Sequence, residues 1–399
     1  MHVAYITTDP GVPIFGQKGC SIHVQEVLRG MARLGVSLEL FATHCQGTAP
    51  RGLANIPLHP LLPFPRGDLA FREQACLGLN ETLQKALQSE GPFNLVYERY
   101  SIWSFAGMEY ARDNNIPGLL EINAPLIEEQ ALHRGLINRR AAEQVADRAF
   151  AAASALIAVS DEVADYLKSF PSARGKIHVI PNGVNPSLFP VDLKPTLPSA
   201  AASFTVGFVG SMKPWHGLEN LIEAFALLYQ RSMADRLLLV GDGTVRQQLA
   251  EQVRARGLGE AVHFTGAVLP EEVPGLLASM DVGVAPYPAG TRFYFSPLKV
   301  YEYMAAGLPV VASRLGQLEK LIESEKTGLL VPPGDVPALV ASFERLRSDR
   351  DLRQQLGRAA RAQVFENHTW NGVVEQILKL ARTCSKIHSE DFSRAHART

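Results

Sequence analysis

Short apolar runs alternate with helical segments twice along this chain, once on each side of a proline-dense stretch. That alternation limits the fold more than any other feature. The first-half runs are residues 3–7, 37–42, 95–97, 118–122 and 155–159; the second-half runs are 204–209, 236–240, 262–265, 282–285 and 309–312. The first connecting segment carries Ile22, Val24, Val27, Leu28, Met31 and Leu34 at helical spacing and stops at Gly35. Residues 218–229 read as the corresponding helix of the second half. Strands separated by helices predict a parallel sheet in each half, hence an α/β fold. Between the halves, residues 185–203 hold Pro186, Pro190, Pro195 and Pro198, a density that disfavours regular structure and predicts a linker.

The totals agree with that organisation. A length of 399 residues suits about two domains. The predicted division is 1–184, the linker 185–203, 204–370, a C-terminal helix over 371–385 crossing back to the first domain, and a loose polar tail over 386–399. A hydrophobic content of 46% with 20% charged residues is ordinary for a soluble globular chain. The formal net charge of −1 argues against nucleic acid held by bulk positive charge, while leaving room for a local basic pocket. Cys20, Cys45, Cys76 and Cys384 are scattered and make no metal-like pair, so reduced thiols of a cytoplasmic protein are expected. The first residues lack the basic and apolar regions of a signal peptide, and no run of about 18 apolar residues predicts a membrane span. Peripheral contact, on the inner face of a membrane, stays open.

Residues 293–313 predict an anion site. Ser296 suits an N-cap and Pro297 the first helical turn; Gly307 stops the helix, Pro309 prevents its resumption and a β-branched run follows. Lys299 then falls at the positive end of the helix dipole, where a cation is unfavourable unless an anion neutralises both. A capped helix with a solvated lysine is the plainer reading. Three more loops follow strands of the same half, at 210–217, 241–246 and 265–270, and the first supplies Lys213. In open α/β sheets ligands collect beyond the carboxyl ends of strands.

From here the chain resembles the retaining glycosyltransferases of family four, which have the GT-B fold: two Rossmann-like α/β domains facing each other across a cleft. The resemblance rests on FVGSMKPWHGLENLIEAFALL, LLLVGDG, VHFTGAV, MDVGVAPY, EYMAAGLPVVAS and TGLLVPPGD, in the family's order, with PNGV at 181–184 and the glycine-rich loop after the first strand. It implies a nucleotide-sugar donor, UDP- or GDP-linked, held mainly by the second domain. Glu302 matches the second acid of the family's Glu–seven residues–Glu motif and would accept from the ribose hydroxyls. Gly266 to Val268 would read the base edge, and Ser296, Pro297, Leu298 and Lys299 would hold the diphosphate. Gly210, Ser211, His216, Gly241 and Gly243 complete the expected donor set. Three positions depart from the pattern: Tyr294 replaces the motif's first acid, and Ser211 and His216 replace the usual Arg and Lys. Lys213 and Lys299 together are expected to neutralise the diphosphate.

The first half is expected to hold the acceptor. Gly16 and Gly19 suit a close backbone approach, Lys18 a solvated position, and Cys20 and His23 ordinary packing or surface. Asn123 stands roughly where the family often carries a histidine, and would orient hydroxyls without acting as base. Glu121, Glu128 and Glu129 are candidate bases, more often solvated in such a segment. Tyr97 to Tyr100 could help bind acceptor. Arg134, Arg139 and Arg140 read by default as a solvated face, with a phosphorylated acceptor or a lipid surface as the alternative. The family's chemistry lets the leaving diphosphate take the acceptor proton on the same face, so no cofactor or metal is expected. Asp349 and Asp351, the one Asp–x–Asp, read as a solvated helix face. A GT-B epimerase acting on nucleotide sugars, an NAD-dependent Rossmann enzyme and a two-lobed binding protein remain the alternatives. The second is disfavoured because no G-x-G-x-x-G follows the first strand.

Overall fold

The computed structural model describes residues 1–61, 67–198, 200 and 203–396, with side chains as far as 385. It divides into two compact units. The first comprises Met1–Pro181, Tyr294–Ser296 and Trp370–Thr399; the second comprises Asn182–Phe293 and Pro297–Thr369.

The first unit is built on seven parallel strands: β1 (His2–Thr7), β2 (Ser37–Ala42), β3 (Leu58–Pro60), β4 (Leu95–Arg99), β5 (Gly118–Ile122), β6 (Ala155–Ala158) and β7 (Ile177–Val179). Their order is β3-β2-β1-β4-β5-β6-β7. The second has six: β8 (Thr205–Val209), β9 (Arg236–Val240), β10 (Val262–Gly266), β11 (Val282–Ala285), β12 (Val310–Ser313) and β13 (Gly328–Val331), in the order β10-β9-β8-β11-β12-β13. Both sheets begin in the middle, grow to one edge, and then return to grow to the other. The order therefore reverses between β1 and β4, and between β8 and β11, where a doubly wound sheet opens a crevice. The central strands are apolar on both faces because helices cover both, and Val3, Ala4, Val206 and Val284 are fully buried.

Most predicted strands are present, with ends shifted by a residue or two. Strand β4 runs on through Glu98 and Arg99, and β3, β7 and β13 were not foreseen. β3 and β7 are three-residue edge strands, and β3 ends in a proline, so neither carries a period that sequence can show. The helix Gly19–Arg33 buries Val24, Val27, Leu28 and Met31 as expected, but Leu34 is 43% exposed beyond its end.

Three boundary expectations are corrected. Residues 182–203 are grouped with the second unit: the Thr196 amide bonds to the Gly275 carbonyl at 2.9 Å, and the Leu197 amide to Ser279 Oγ at 3.0 Å. Prolines here shape a pinned surface segment; residues 199, 201 and 202 of the predicted linker lie outside the described residues. The C-terminal helix spans Trp370–His396, so most of the predicted loose tail is helical. Ser296 is not the N-cap of its helix. Pro297 holds extended geometry (φ −80°, ψ 96°), which delays the helix to Leu298–Ala305 and puts Pro297 itself at the cap. Gly307 does end that helix, at φ +73°.

Candidate active site

In the second unit the loops after β8, β9 and β10 are joined backbone to backbone. The Gly210 amide donates to the Val240 carbonyl at 2.9 Å, Met212 to Asp242 at 2.9 Å, and Gly241 to Gly266 at 3.1 Å. The fit admits no side chain at Gly241. Its φ is +121°, and a β-carbon would lie 2.2 Å from the Gly210 carbonyl oxygen. Gly243 meets the Met212 backbone just as closely, and Gly266, at φ +74°, faces open space. Val268 is half-buried in the loop after β10.

Lys299 rises against this platform from the second position of the helix Leu298–Ala305. A β-carbon on Gly210 would come within 3.2 Å of Lys299 Nζ, so glycine makes room for the amine. The ammonium lies 4.1 Å from the centre of the Phe208 ring and 5.7 Å from that of Tyr287. Nζ is buried and hydrogen-bonds to nothing among the described residues. Burial pushes Lys299 down to about 7, against the opposing pull of the Glu302 carboxylate one turn on. A buried ammonium whose three N–H groups find no partner among the described residues, at a helix start, has the chemistry to receive an anion.

His216 packs beside it, 5.8 Å from Phe208 and 5.7 Å from Tyr287 between ring centres. Its Nδ1 lies 2.5 Å from the Ser211 carbonyl oxygen. Burial and then the charge of Lys299 push the imidazole down to about 2, with Lys213 adding to the effect and the Ser211 bond opposing it. Lys213 is half-exposed, its Nζ 6.0 Å from the Trp215 ring centre. Ser211 is exposed. Sequence reasoning did not single out Phe208, Tyr287 or Tyr303. The Tyr303 hydroxyl accepts from the Val209 amide at 2.8 Å and so fixes the end of β8. Its signal was the aromatic character of the blocks around it.

Tyr294 and Ser296, expected at the donor, are grouped instead with the first unit. The Tyr294 carbonyl accepts from Ser160 Oγ at 2.9 Å, and its hydroxyl donates to Glu129 Oε2 at 3.1 Å. Arg134 holds the other Glu129 oxygen at 3.2 Å.

In the first unit Glu121 lies on β5, 2% exposed, with both oxygens on His23 Nε2 at 2.8 and 2.9 Å. Burial alone would raise the carboxyl; the charge and bond of His23, with Arg99, bring it below the usual carboxylate range. Glu121 is therefore an engaged structural acid. His23, 3% exposed and edge-on to Trp370 at 5.1 Å, is its partner rather than a surface residue. Asn123 follows β5, half-buried, its amide unbonded among the described residues. Gly16 packs against Pro13 and Ser21, and Gln25 donates to its carbonyl at 2.9 Å. Gly19 is exposed at the start of its helix. Glu128 and Glu129 sit on the helix Leu126–His133. They pair with Arg139 and Arg134, so the expected basic cluster is largely neutralised. Asp349 caps the helix Arg350–Asn367 by accepting from Leu352 at 2.8 Å. No group of three or more metal-type ligands occurs among the described residues.

Comparison with known proteins bears on the family and the fold. Residues 18–188 match the model described as Glycosyltransferase Family 4, and residues 203–349 the model described as Glycosyl transferases group 1. An uncharacterized glycosyltransferase of Methanocaldococcus jannaschii is 28% identical over 53% of this chain, and the match spans only 55% of that relative's length. The D-inositol 3-phosphate glycosyltransferase of Corynebacterium urealyticum is 25% identical over 95% of this chain and 93% of its own. The crystal structure of Anabaena HepE in complex with UDP superposes with a TM-score of 0.74 at 21% identity, over 96% of this chain and 100% of that one. The fold is GT-B, the two-domain architecture of nucleotide-sugar glycosyltransferases. The chain belongs to the family-four glycosyltransferases.

Proposed function

We propose that the chain is a retaining glycosyltransferase that moves a hexosyl group from a UDP- or GDP-linked sugar to a hydroxyl acceptor. The observation that carries this is the buried, unpartnered Lys299 amine at the start of the helix Leu298–Ala305, beside the glycine platform. A diphosphate placed there would meet the helix N–H groups, Lys299 and the half-exposed Lys213, and its departing charge would be stabilised without a change of protein structure. Glu302, on the same helix, suits the ribose. The leaving oxygen would take the acceptor proton on the face it departs from, which asks for no base among the side chains and no metal. HepE is named as a UDP complex, which favours a nucleotide donor. Acceptor contacts are assigned to Asn123 and the loop at Gly16, with Glu121 supporting from beneath.

The relatives compared are named glycosyltransferases, which disfavours the epimerase reading. Nucleoside diphosphate released only when an acceptor is present marks the transferase; conversion of free nucleotide sugar without acceptor marks the epimerase. A panel of UDP, GDP and their sugars scored by thermal shift would identify the donor, since bound ligand raises stability by mass action. Lys299→Ala and Lys213→Ala should each lower activity more than tenfold, and activity retained within tenfold rejects the pair's role. No helix among the described residues is long and apolar enough to cross a membrane. A cytoplasmic enzyme touching a membrane surface is the reading we favour, because Leu132 (70% exposed), Ile137 (62%) and Arg140 are all exposed on the first unit.

A further inference from the structure

His216 stands where the family resemblance places a lysine, and its chemistry is opposite. Its Nδ1 meets the Ser211 carbonyl oxygen at 2.5 Å, and a carbonyl can only accept. The ring proton is therefore on Nδ1, and Nε2 keeps its lone pair. The ring packs against Phe208 at 5.8 Å and Tyr287 at 5.7 Å, and turning it over would cost the Ser211 bond. A second proton is resisted by burial and by Lys299 and Lys213 nearby. No described residue hydrogen-bonds to Nε2. A fixed acceptor cannot hold a bare phosphate oxygen, which is itself only an acceptor. It requires an O–H or N–H from the ligand. In a nucleotide sugar those are the N–H groups of the base, expected above at Gly266 to Val268, the hydroxyls of the ribose, assigned above to Glu302, and the hydroxyls of the transferred sugar.

Resting on the donor reading above, we propose that His216 is a specificity residue, its Nε2 a fixed hydrogen-bond acceptor for a hydroxyl of the donor's sugar. The site thereby exchanges one phosphate contact of its relatives for one sugar contact, leaving Lys299 and Lys213 as the diphosphate cations.

The test compares two ligand classes on one set of proteins. UDP, GDP, UDP-glucose and GDP-mannose are titrated calorimetrically into wild type, His216→Ala, His216→Gln and His216→Lys at pH 7.5, with thermal melts to confirm folding. His216→Ala should weaken the nucleotide sugar about tenfold, the scale of one lost hydrogen bond, and leave the matching nucleoside diphosphate within twofold. His216→Gln, whose amide oxygen can occupy the Nε2 place, should recover part of that loss. His216→Lys should tighten the nucleoside diphosphate without recovering the sugar's share. The ratio of wild-type to His216→Ala affinity for the nucleotide sugar should stay flat from pH 5.5 to 8. Equal losses of both ligand classes in His216→Ala would make His216 a phosphate ligand and overturn the proposal, and no loss of either would reduce it to packing. A wild type that binds none of the four ligands would reject the donor reading itself, and the proposal with it.

Discussion

Glu98 shows how a single buried side chain can tilt the stability of a unit. It lies on β4 facing away from solvent, its Oε1 accepting from Ser104 and its Oε2 unpartnered among the described residues. Burial pushes it up to about 7, against the Ser104 bond. The folded state then binds a proton that the unfolded chain, near 4.3, has already lost, so this group lowers stability as pH rises from about 4.5 to 7. Glu98→Gln should remove that slope and be more stable than wild type by roughly 1–3 kcal/mol at pH 8, with little gain at pH 4.5. Urea unfolding at the two pH values checks it; an equal difference at both would contradict the assignment. His23 makes the opposite case. Removing it leaves Glu121 buried and alone, so His23→Ala should cost roughly 3–5 kcal/mol in the same assay, and a cost under about 1 kcal/mol would show the pair to be dispensable. Neither residue was legible in sequence. Glu98 and Glu121 sit in strand-forming runs as isolated acids, and nothing in the chain signals that His23, nearly a hundred residues from Glu121, is its partner.

Loops and helix starts were easier to read than strand edges. The loops at Gly210, Gly241 and Gly266 were visible because a glycine directly after an apolar run marks the point where a buried strand turns into a loop. Lys299 was visible because a lysine in a first turn runs against the helix dipole. What the letters could not give is that the loops bond to one another, which depends on strand order. Gly241→Ala tests this. At φ +121°, with the Gly210 carbonyl 2.2 Å from the new β-carbon, the variant should lose about 2 kcal/mol or more of stability and most donor affinity. Affinity unchanged in a stable variant would show that the loops act separately. The misplaced cap has a local cause. Serine before a proline reads as a cap and first turn, yet Pro297 kept extended geometry and the helix began one residue later.

For the whole molecule, the two-unit α/β organisation was legible because each unit repeats the same pattern, and the resemblance extended along nearly all of the chain. The boundary was not. Proline density marks a segment without regular structure, but only the hydrogen bonds of Thr196 and Leu197 show to which unit that segment belongs. The net charge of −1 is likewise uninformative about the site, whose character comes from two lysines, a neutral imidazole and a set of backbone groups. The central claim is that the unpartnered Lys299 amine is the anchor for a nucleoside diphosphate. A bound anion would raise Lys299 from about 7, so binding above that pH takes up a proton and weakens as pH rises. The most direct measurement is a calorimetric titration of UDP and GDP into wild type and Lys299→Ala at pH 7.5 and 8.5, above the terminal phosphate's own titration near 6. The account expects wild type to bind one of them up to tenfold more weakly at pH 8.5, and Lys299→Ala to bind at least tenfold more weakly than wild type at pH 7.5 with no such pH dependence. Wild-type affinity and pH dependence retained in Lys299→Ala would contradict it.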